Sequence, residues 1–236
     1  MYTFDSRIRY SEVGSDSKLT LLSLLDYFQD CSTFQSEDLG VGVEYLLQHH
    51  IVWVMSFWQI DISRFADLCE HVTIETFPYD FKLSLGFRNF SMKGGDGQRI
   101  AVANTLWTLL DTETGRPVRP PAEMMEKYVM QPRLDMEYLS RKIQFSGMGE
   151  QGSPVEVKKH HLDTNMHVNN GQYVAVACDF LPQDFKVKRM RATYHRQAYL
   201  GDVFYPVIYT MPGGITGIAL NGADGQPYAK VEFTGE

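Results

Sequence analysis

The sequence predicts an α+β fold made of two copies of one unit, each a long helix followed by a curved antiparallel meander. Three features carry this. Residues Leu19 to Phe34 draw one apolar face with helical spacing, through Leu21, Leu22, Leu25, Phe28, Cys31 and Phe34. Apolar and alternating runs separated by turn residues then fill the stretch from Ile51 to Leu110. The same order returns in the second half, and its last hairpin repeats the first: Gly94-Gly95-Asp96-Gly97-Gln98-Arg99-Ile100-Ala101 aligns with Gly222-Ala223-Asp224-Gly225-Gln226-Pro227-Tyr228-Ala229 at five of eight positions.

In chain order, Tyr2 to Tyr10 alternates bulky and polar side chains as a first strand does. Ser15-Asp16-Ser17 offers helix N-caps, and Leu24 broadens the apolar face of the helix that follows. Gly40 and Gly42 close that region. Ile51 to Ile62 is too apolar for a surface strand and predicts burial on both faces. Val72 to Phe77 and Phe81 to Met92 alternate, Gly94 to Gly97 turns the chain, and Ile100 to Leu110 returns as a strand. Pro120 and Pro121 can start a short helix over Ala122 to Val129. The polar stretch around it gives the boundaries 1–121, a linker at 122–147, and 148–236. The second unit reads as a helix over Asn169 to Phe180 and strands at Lys188 to His195, Val203 to Met211, Gly214 to Leu220 and Tyr228 to Phe233. A meander that curls around one helix buries the helix stripe, and two such sheets joined edge to edge protect their edges. That arrangement is a tandem, or double, hotdog.

Composition bounds the function. The chain has 236 residues, 44% hydrophobic and 22% charged, enough for a sizeable core. A net charge of −7 argues against general nucleic-acid binding, which basic patches dominate. No apolar run approaches the ~18 residues of a membrane span. Cys31, Cys69 and Cys178 are scattered and odd in number, which reads as small buried residues in a reducing compartment. A cytoplasmic location is the default.

Chemistry concentrates in His160-His161-Leu162-Asp163-Thr164-Asn165-Met166-His167-Val168-Asn169-Asn170. Asp163, Asn165 and His167 alternate, and alternate residues of an extended segment face one way. An acid, an amide and an imidazole would then meet ahead of a helix N-terminus, where negative charge is stabilised. Read without further context, the trio could equally be a capping network, because Asp and Asn favour helix starts. A metal site on His160, His161 and His167 is disfavoured, since adjacent histidines point apart on a strand. No Gly-x-Ser-x-Gly occurs, which disfavours a serine hydrolase.

The segment Asp163-Thr164-Asn165-Met166-His167-Val168-Asn169-Asn170-Gly171-Gln172-Tyr173 resembles the Asp-x-Asn-x-His-Val-Asn-Asn-x-x-Tyr signature of the acyl-acyl carrier protein thioesterases. Trp53-Val54-Met55, Arg64 with Val72 and Thr76, and Asp111-x-x-Thr114-Gly115-Arg116-Pro117-Val118-Arg119 resemble the same family. The resemblance implies a tandem hotdog that hydrolyses the thioester between a fatty acyl chain and acyl carrier protein, without a metal or other cofactor. With no targeting extension ahead of the first strand, a bacterial member is expected rather than a plastid one.

Carried over by residue, the resemblance gives Asp163, Asn165 and His167 the catalytic roles. The family's Tyr-x-Arg-Glu-Cys segment corresponds to Tyr194-His195-Arg196-Gln197-Ala198, so its Glu is Gln197 here and its Cys is Ala198. Ala198 offers no thiolate and a Gln amide has no useful basicity, which leaves water as the nucleophile. Asp163 is the expected base or the group orienting it, with its pKa raised by burial, and His167 can share in proton transfer. Asn165 can hold the thioester oxygen or the water, and Gln197 can position the water. Backbone N–H groups after Asn169, with Gly171 allowing close approach, are candidate oxyanion donors. Aromatic residues of the first-half strands and the helix around Leu21 to Phe28 are expected to wall the acyl chain. An acidic carrier protein needs a basic patch, for which Lys186, Lys188, Arg189 and Arg191 are candidates, followed by Arg133, Arg141, Lys142, Lys158 and Lys159. An acyl-CoA thioesterase of the same fold and a non-catalytic acyl-thioester binding protein are the alternatives. Such a pseudo-dimer can be a monomer or a homodimer.

Overall fold

A computed structural model of the chain describes residues 1–235. It divides into two compact units, one comprising Met1–Ser56 and Ile62–Tyr138, the other Phe57–Asp61 and the chain from Leu139 onward. Each is a helix packed against an antiparallel sheet, and the two are hotdog units.

The first unit contains β1 (Tyr2–Arg7), α1 (Leu21–Asp38), a short α2 (Val43–Gln48), β2 (Ile51–Ile62) apart from its Phe57–Asp61, β3 (His71–Lys82), β4 (Leu85–Lys93), β5 (Arg99–Asp111) and α3 (Ala122–Lys127). Its sheet runs β1-β3-β4-β5, antiparallel throughout. Helix α1 lies on β3 and β1. Its buried side chains are Leu21, Leu24, Leu25, Tyr27, Phe28, Cys31, Ser32 and Gln35, while Phe34 is exposed. The helix starts two residues later than expected. Its N-cap is Thr20, whose hydroxyl accepts from the Ser23 N–H at 3.1 Å, and not one of Ser15-Asp16-Ser17. Those residues sit in a turn with Ser17 at φ 61°. The strand expected from Phe81 to Met92 is interrupted by a turn at Leu83-Ser84, with Leu83 at φ 58°.

Residues 122–147, read from sequence as a mobile linker, are anchored. Met124 and Tyr128 join Val41, Ile51 and Leu109 in an apolar cluster. Asn89 Oδ1 accepts from the Leu134 N–H at 3.0 Å and the Tyr138 hydroxyl at 2.9 Å, and Leu139 N–H donates to Gln59 Oε1 at 3.0 Å. Buried amide side chains thus satisfy the backbone of a segment that lacks regular structure.

The second unit contains β6 (Glu150–Gln151), β7 (Val155–Glu156), α4 (Asn170–Cys178), β8 (Val187–Tyr194), β9 (Val203–Met211), β10 (Ile215–Asn221) and β11 (Pro227–Gly235). Residues Phe57 to Asp61 of β2 pair with β8, and the order continues β8-β11-β10-β9-β6. Helix α4, with Gly171, Tyr173, Val174, Val176 and Ala177 buried, packs on β10 and β11.

The duplication extends to individual hydrogen bonds. Gly94 N–H donates to Gln98 O and Gly222 N–H to Gln226 O, both at 2.9 Å. At each hairpin an arginine guanidinium, Arg64 or Arg196, lies where a Cβ on the first glycine would sit, which explains glycine at both positions. Ahead of each helix the chain forms a 3-10 turn, at Tyr10–Glu12 and at Lys159–His161. A loop follows, closed by the bridges Val13↔Leu19 and Leu162↔Val168. Leu19 N–H donates to Ala66 O at 2.8 Å and Val168 N–H to Ala198 O at 2.9 Å. The left-handed residues Ser17 and Met166 match, as do Cys69 and Gly201. Cys69 is therefore exposed on a turn and not buried as expected, whereas Cys31 is buried.

Candidate active site

The loop before α4 gathers the residues singled out from sequence. It is not extended, as the alternation argument assumed. Asp163 to His167 make a tight turn in which Asp163 N–H donates to His167 O at 2.8 Å and Met166 N–H donates to Asp163 O at 3.1 Å. Met166 takes up the left-handed conformation, φ 61°, that reverses the chain. The Asp163 carboxylate organises this turn: its Oδ1 accepts from the Asn165 N–H at 2.8 Å and the His167 N–H at 3.2 Å. Such Asx-type bonding needs a short side chain with a lone pair, which Asp supplies at the first position of a turn. Asp163 and His167 are partly buried and Asn165 is exposed. Asp163 thus sits at the centre of the turn, with the amide and the imidazole on the backbone it holds.

The turn is docked on the segment after β8. Val168 is tied to Ala198 O, and the Tyr199 ring meets the His167 ring edge-on at 4.9 Å between centroids. The Tyr199 hydroxyl reaches Gln197 Oε1 at 3.4 Å. Gln197, exposed, is thereby linked through Tyr199 to His167. Ala198, the residue aligned with the family's cysteine, is completely buried. Its N–H donates to the Tyr173 hydroxyl at 2.9 Å, and burial pushes that phenol well above its usual range, so it stays protonated.

The start of α4 is capped by Asn169, whose Oδ1 accepts from the Gly171 N–H at 2.8 Å. Gly171 N–H is consequently taken by the cap, which removes one of the backbone donors expected after Asn169. His161 supports the loop from behind. It is buried, its Nδ1 accepts from the Lys158 N–H at 3.1 Å, and its carbonyl accepts from the Asn169 N–H at 2.9 Å. Burial, reinforced by His160 and Lys158, holds the His161 imidazole below its usual range.

Tyr199 was missed from sequence, and the available signal was its place two residues after Gln197. Tyr173 closes the signature and His161 was weighed as a metal ligand, but the contacts that give them their places here are made across the fold.

The equivalent loop of the first unit has the same backbone and different chemistry. Gly14 stands where Asp163 does, Asp16 where Asn165 does, and Lys18 where His167 does. Lys18 is paired with Asp67 at 2.7 Å, and Asp67 occupies the place of Tyr199. The constellation therefore occurs once in the described residues.

Arg189 and Arg191, expected to receive a carrier protein, are already matched by carboxylates. Arg189 pairs with Asp61. Arg191 grips Glu232 with Nε at 2.8 Å and Nη2 at 2.6 Å, and its Nη1 donates to Ser140 O at 2.9 Å. Lys186 is exposed and Lys188 partly buried, while Lys158 and Lys159 are exposed immediately before the loop. Among the described residues no group of His, Cys, Asp and Glu could hold a metal ion, and no helix is long and apolar enough to cross a membrane.

Comparison with known proteins agrees with this layout. Residues 1–128 match the acyl-ACP thioesterase N-terminal domain and residues 149–211 the acyl-ACP thioesterase C-terminal domain. An acyl-ACP thioesterase from Bacteroides thetaiotaomicron superposes with a TM-score of 0.91 at 20% identity, covering 99% of this chain and 97% of that one. A putative oleoyl thioesterase from Lactobacillus plantarum superposes at 0.90 with 25% identity, covering 98% and 94%. The chloroplastic oleoyl-acyl carrier protein thioesterases 1 and 2 of Arabidopsis thaliana are each 22% identical, over 92% and 83% of this chain. The chain spans 67% and 59% of their respective lengths.

Proposed function

Because the chain belongs to the acyl-ACP thioesterase family, we propose that it hydrolyses fatty acyl-acyl carrier protein to free fatty acid and carrier protein. One observation carries this reading. A single turn holds an acid, an amide and an imidazole against the Gln197–Tyr199 segment, and the duplicate turn in the first unit has Gly14, Asp16 and Lys18 in their places.

The nucleophile is water, since Ala198 has no thiol. His167 takes a proton from the water as its oxygen attacks the thioester carbon. The Asp163 charge, in the same turn, favours the imidazolium that forms. The Asn165 amide donates to the carbonyl oxygen as it becomes negative, replacing the oxyanion donor that Gly171 cannot provide. The tetrahedral intermediate expels the pantetheine sulfur, which leaves as a thiol with the proton held by His167. Gln197 accepts from the Tyr199 hydroxyl and orients the incoming water. For the carrier protein, Lys158, Lys159 and Lys186 are the better-placed cations, because Arg189 and Arg191 are engaged by carboxylates.

Free thiol released from acyl carrier protein and CoA thioesters of several chain lengths tests the reading. His167→Ala is expected to lower kcat by at least about a hundredfold. Asp163→Asn keeps an acceptor for the two backbone N–H groups and removes only the charge. It is expected to melt like the wild type and lose about tenfold or more in kcat. Full activity in Asp163→Asn would reduce Asp163 to a capping residue. Binding without thiol release by the wild type would sink the enzyme reading. Lys158→Glu with Lys159→Glu should raise KM for the carrier thioester and leave that for the CoA thioester little changed.

A further inference from the structure

The turn that begins at Tyr199 has a duplicate in the first unit, with the same hydrogen bonds. Asp202 N–H donates to Tyr199 O and Glu70 N–H to Asp67 O, both at 3.0 Å. The side chain that ends each turn reaches back to its start. Asp202 Oδ2 accepts from the Tyr199 N–H and Glu70 Oε2 from the Asp67 N–H, both at 2.9 Å. Each turn is tied to the chain ahead of its unit's 3-10 turn, by Gly201 N–H to Val157 O and by Cys69 N–H to Ile8 O, both at 3.0 Å. In each, the first residue supports the loop before the helix at the same place. Asp67 pairs with Lys18, and the Tyr199 ring meets the His167 ring.

What differs is the use made of the carboxylate. Glu70 has three tasks. It holds the Asp67 N–H, it is gripped by Arg64 with Nη1 at 2.9 Å and Nη2 at 2.7 Å, and it accepts from the Gly95 N–H at 3.1 Å. The arginine bonds hold its carboxyl down at about 2. In the first unit the glutamate thus clamps turn, arginine and hairpin together. Asp202 is one methylene shorter. Arg196, which stands where Arg64 does, gives its Nη1 and Nη2 to Asp224 at 2.9 and 2.8 Å. The arginine of the second unit therefore grips the hairpin directly and bypasses the turn. The start of that turn, at Tyr199, hangs on the Asp202 carboxylate.

We propose that Asp202 is a positioning residue: its carboxylate fixes the Tyr199 backbone and so holds the Tyr199 ring against the His167 imidazole. The consequence for catalysis rests on the thioesterase reading above. A carboxylate bond to a backbone N–H is strong and directional, so it sets where the ring lies. An imidazole that must meet a water and then a sulfur loses rate when its orientation loosens. Glu70, whose turn supports a lysine and no imidazole, serves stability alone.

Two measurements on the full chain test this: thiol release, and the rate at which diethyl pyrocarbonate labels His167, followed by mass spectrometry. Asp202→Ala should lower kcat about fivefold or more with KM within about twofold, and should label His167 about threefold faster or more. Asp202→Asn, which keeps an acceptor for the Tyr199 N–H, should stay within about twofold of the wild type in both. In a Tyr199→Ala background, Asp202→Ala should cost nothing further in kcat, because the ring it positions is gone. Glu70→Ala should lower the melting temperature and leave kcat and His167 labelling unchanged. Wild-type kcat and labelling in Asp202→Ala, or a full second loss in the Tyr199→Ala background, overturns the inference. So does an Asp202→Asn as impaired as Asp202→Ala, or a Glu70→Ala that matches Asp202→Ala in labelling. Should Asp202→Ala fail to fold, Asp202→Ser is held to the same thresholds. If the wild type cleaves no thioester, the thioesterase reading has failed, and His167 labelling in the same variants decides the positioning by itself.

Discussion

At the scale of single residues, environment decides the chemistry of like side chains. Burial pushes the Cys31 thiol up to about 12, and it does the same to Cys178, so neither supplies thiolate near neutral pH. Cys69 is exposed. Iodoacetamide at neutral pH should therefore label Cys69 first, and mass spectrometry of the digest should find Cys31 and Cys178 unmodified in the native protein. Tyr199 is a second case. Its ring meets His167 while its hydroxyl reaches Gln197 at 3.4 Å. Tyr199→Phe should keep kcat within about twofold, whereas Tyr199→Ala, which uncovers the imidazole, should cost about tenfold. These magnitudes follow from losing one weak hydrogen bond as against losing the group that fixes a proton carrier. A steady-state comparison of the two variants separates the contributions.

At the scale of elements, the two helices begin alike and serve different ends. Thr20 caps α1 and Asn169 caps α4. Removing either cap should cost about 1 kcal/mol of stability. Only Asn169→Ala should also lower kcat, since Asn169 anchors the end of the catalytic turn and Thr20 anchors a turn without the acid-amide-imidazole set. Chemical denaturation and thiol release measured on both variants check this. Strands and helices were legible in the sequence, because β2 and β9 occupy the predicted residues and α1 follows its apolar stripe. The start of α1 was not, because three polar residues competed as caps and only the closing bridge Val13↔Leu19 selects Thr20. The short α2, whose described residues include none that are fully buried, had no periodic signal to announce it.

At the scale of the whole molecule, the site rests on a neutral His161 beneath the loop. The sign of its pH effect follows from its depressed pKa. Unfolded His161 takes a proton near its usual value of 6.5. The folded protein resists that proton, since it would break the bond from the Lys158 N–H. Stability from this group is complete above about pH 6.5 and is lost as pH falls through the folded value. The melting temperature should therefore drop on acidification from about pH 6.5 to 5. In His161→Asn, which keeps an acceptor and cannot titrate, that drop should be smaller. An equal drop in both proteins would assign the acid sensitivity elsewhere.

The sequence by itself determined the two-unit plan, the strand and helix periods, and the single loop that carries Asp163, Asn165 and His167. Periodicity and turn chemistry are local, and so is a motif written in consecutive residues. Tertiary structure alone decided what those residues touch. It bent the expected strand into a turn around Asp163 and gave the Gly171 N–H to Asn169. It brought Tyr199 to His167, and it matched Arg189 and Arg191 with carboxylates from neighbouring strands. It also buried Arg88 against Gln35 and Thr76. Each of these depends on partners far apart in the chain, whose meeting is set by strand register and helix docking, and neither is written in any short stretch of residues.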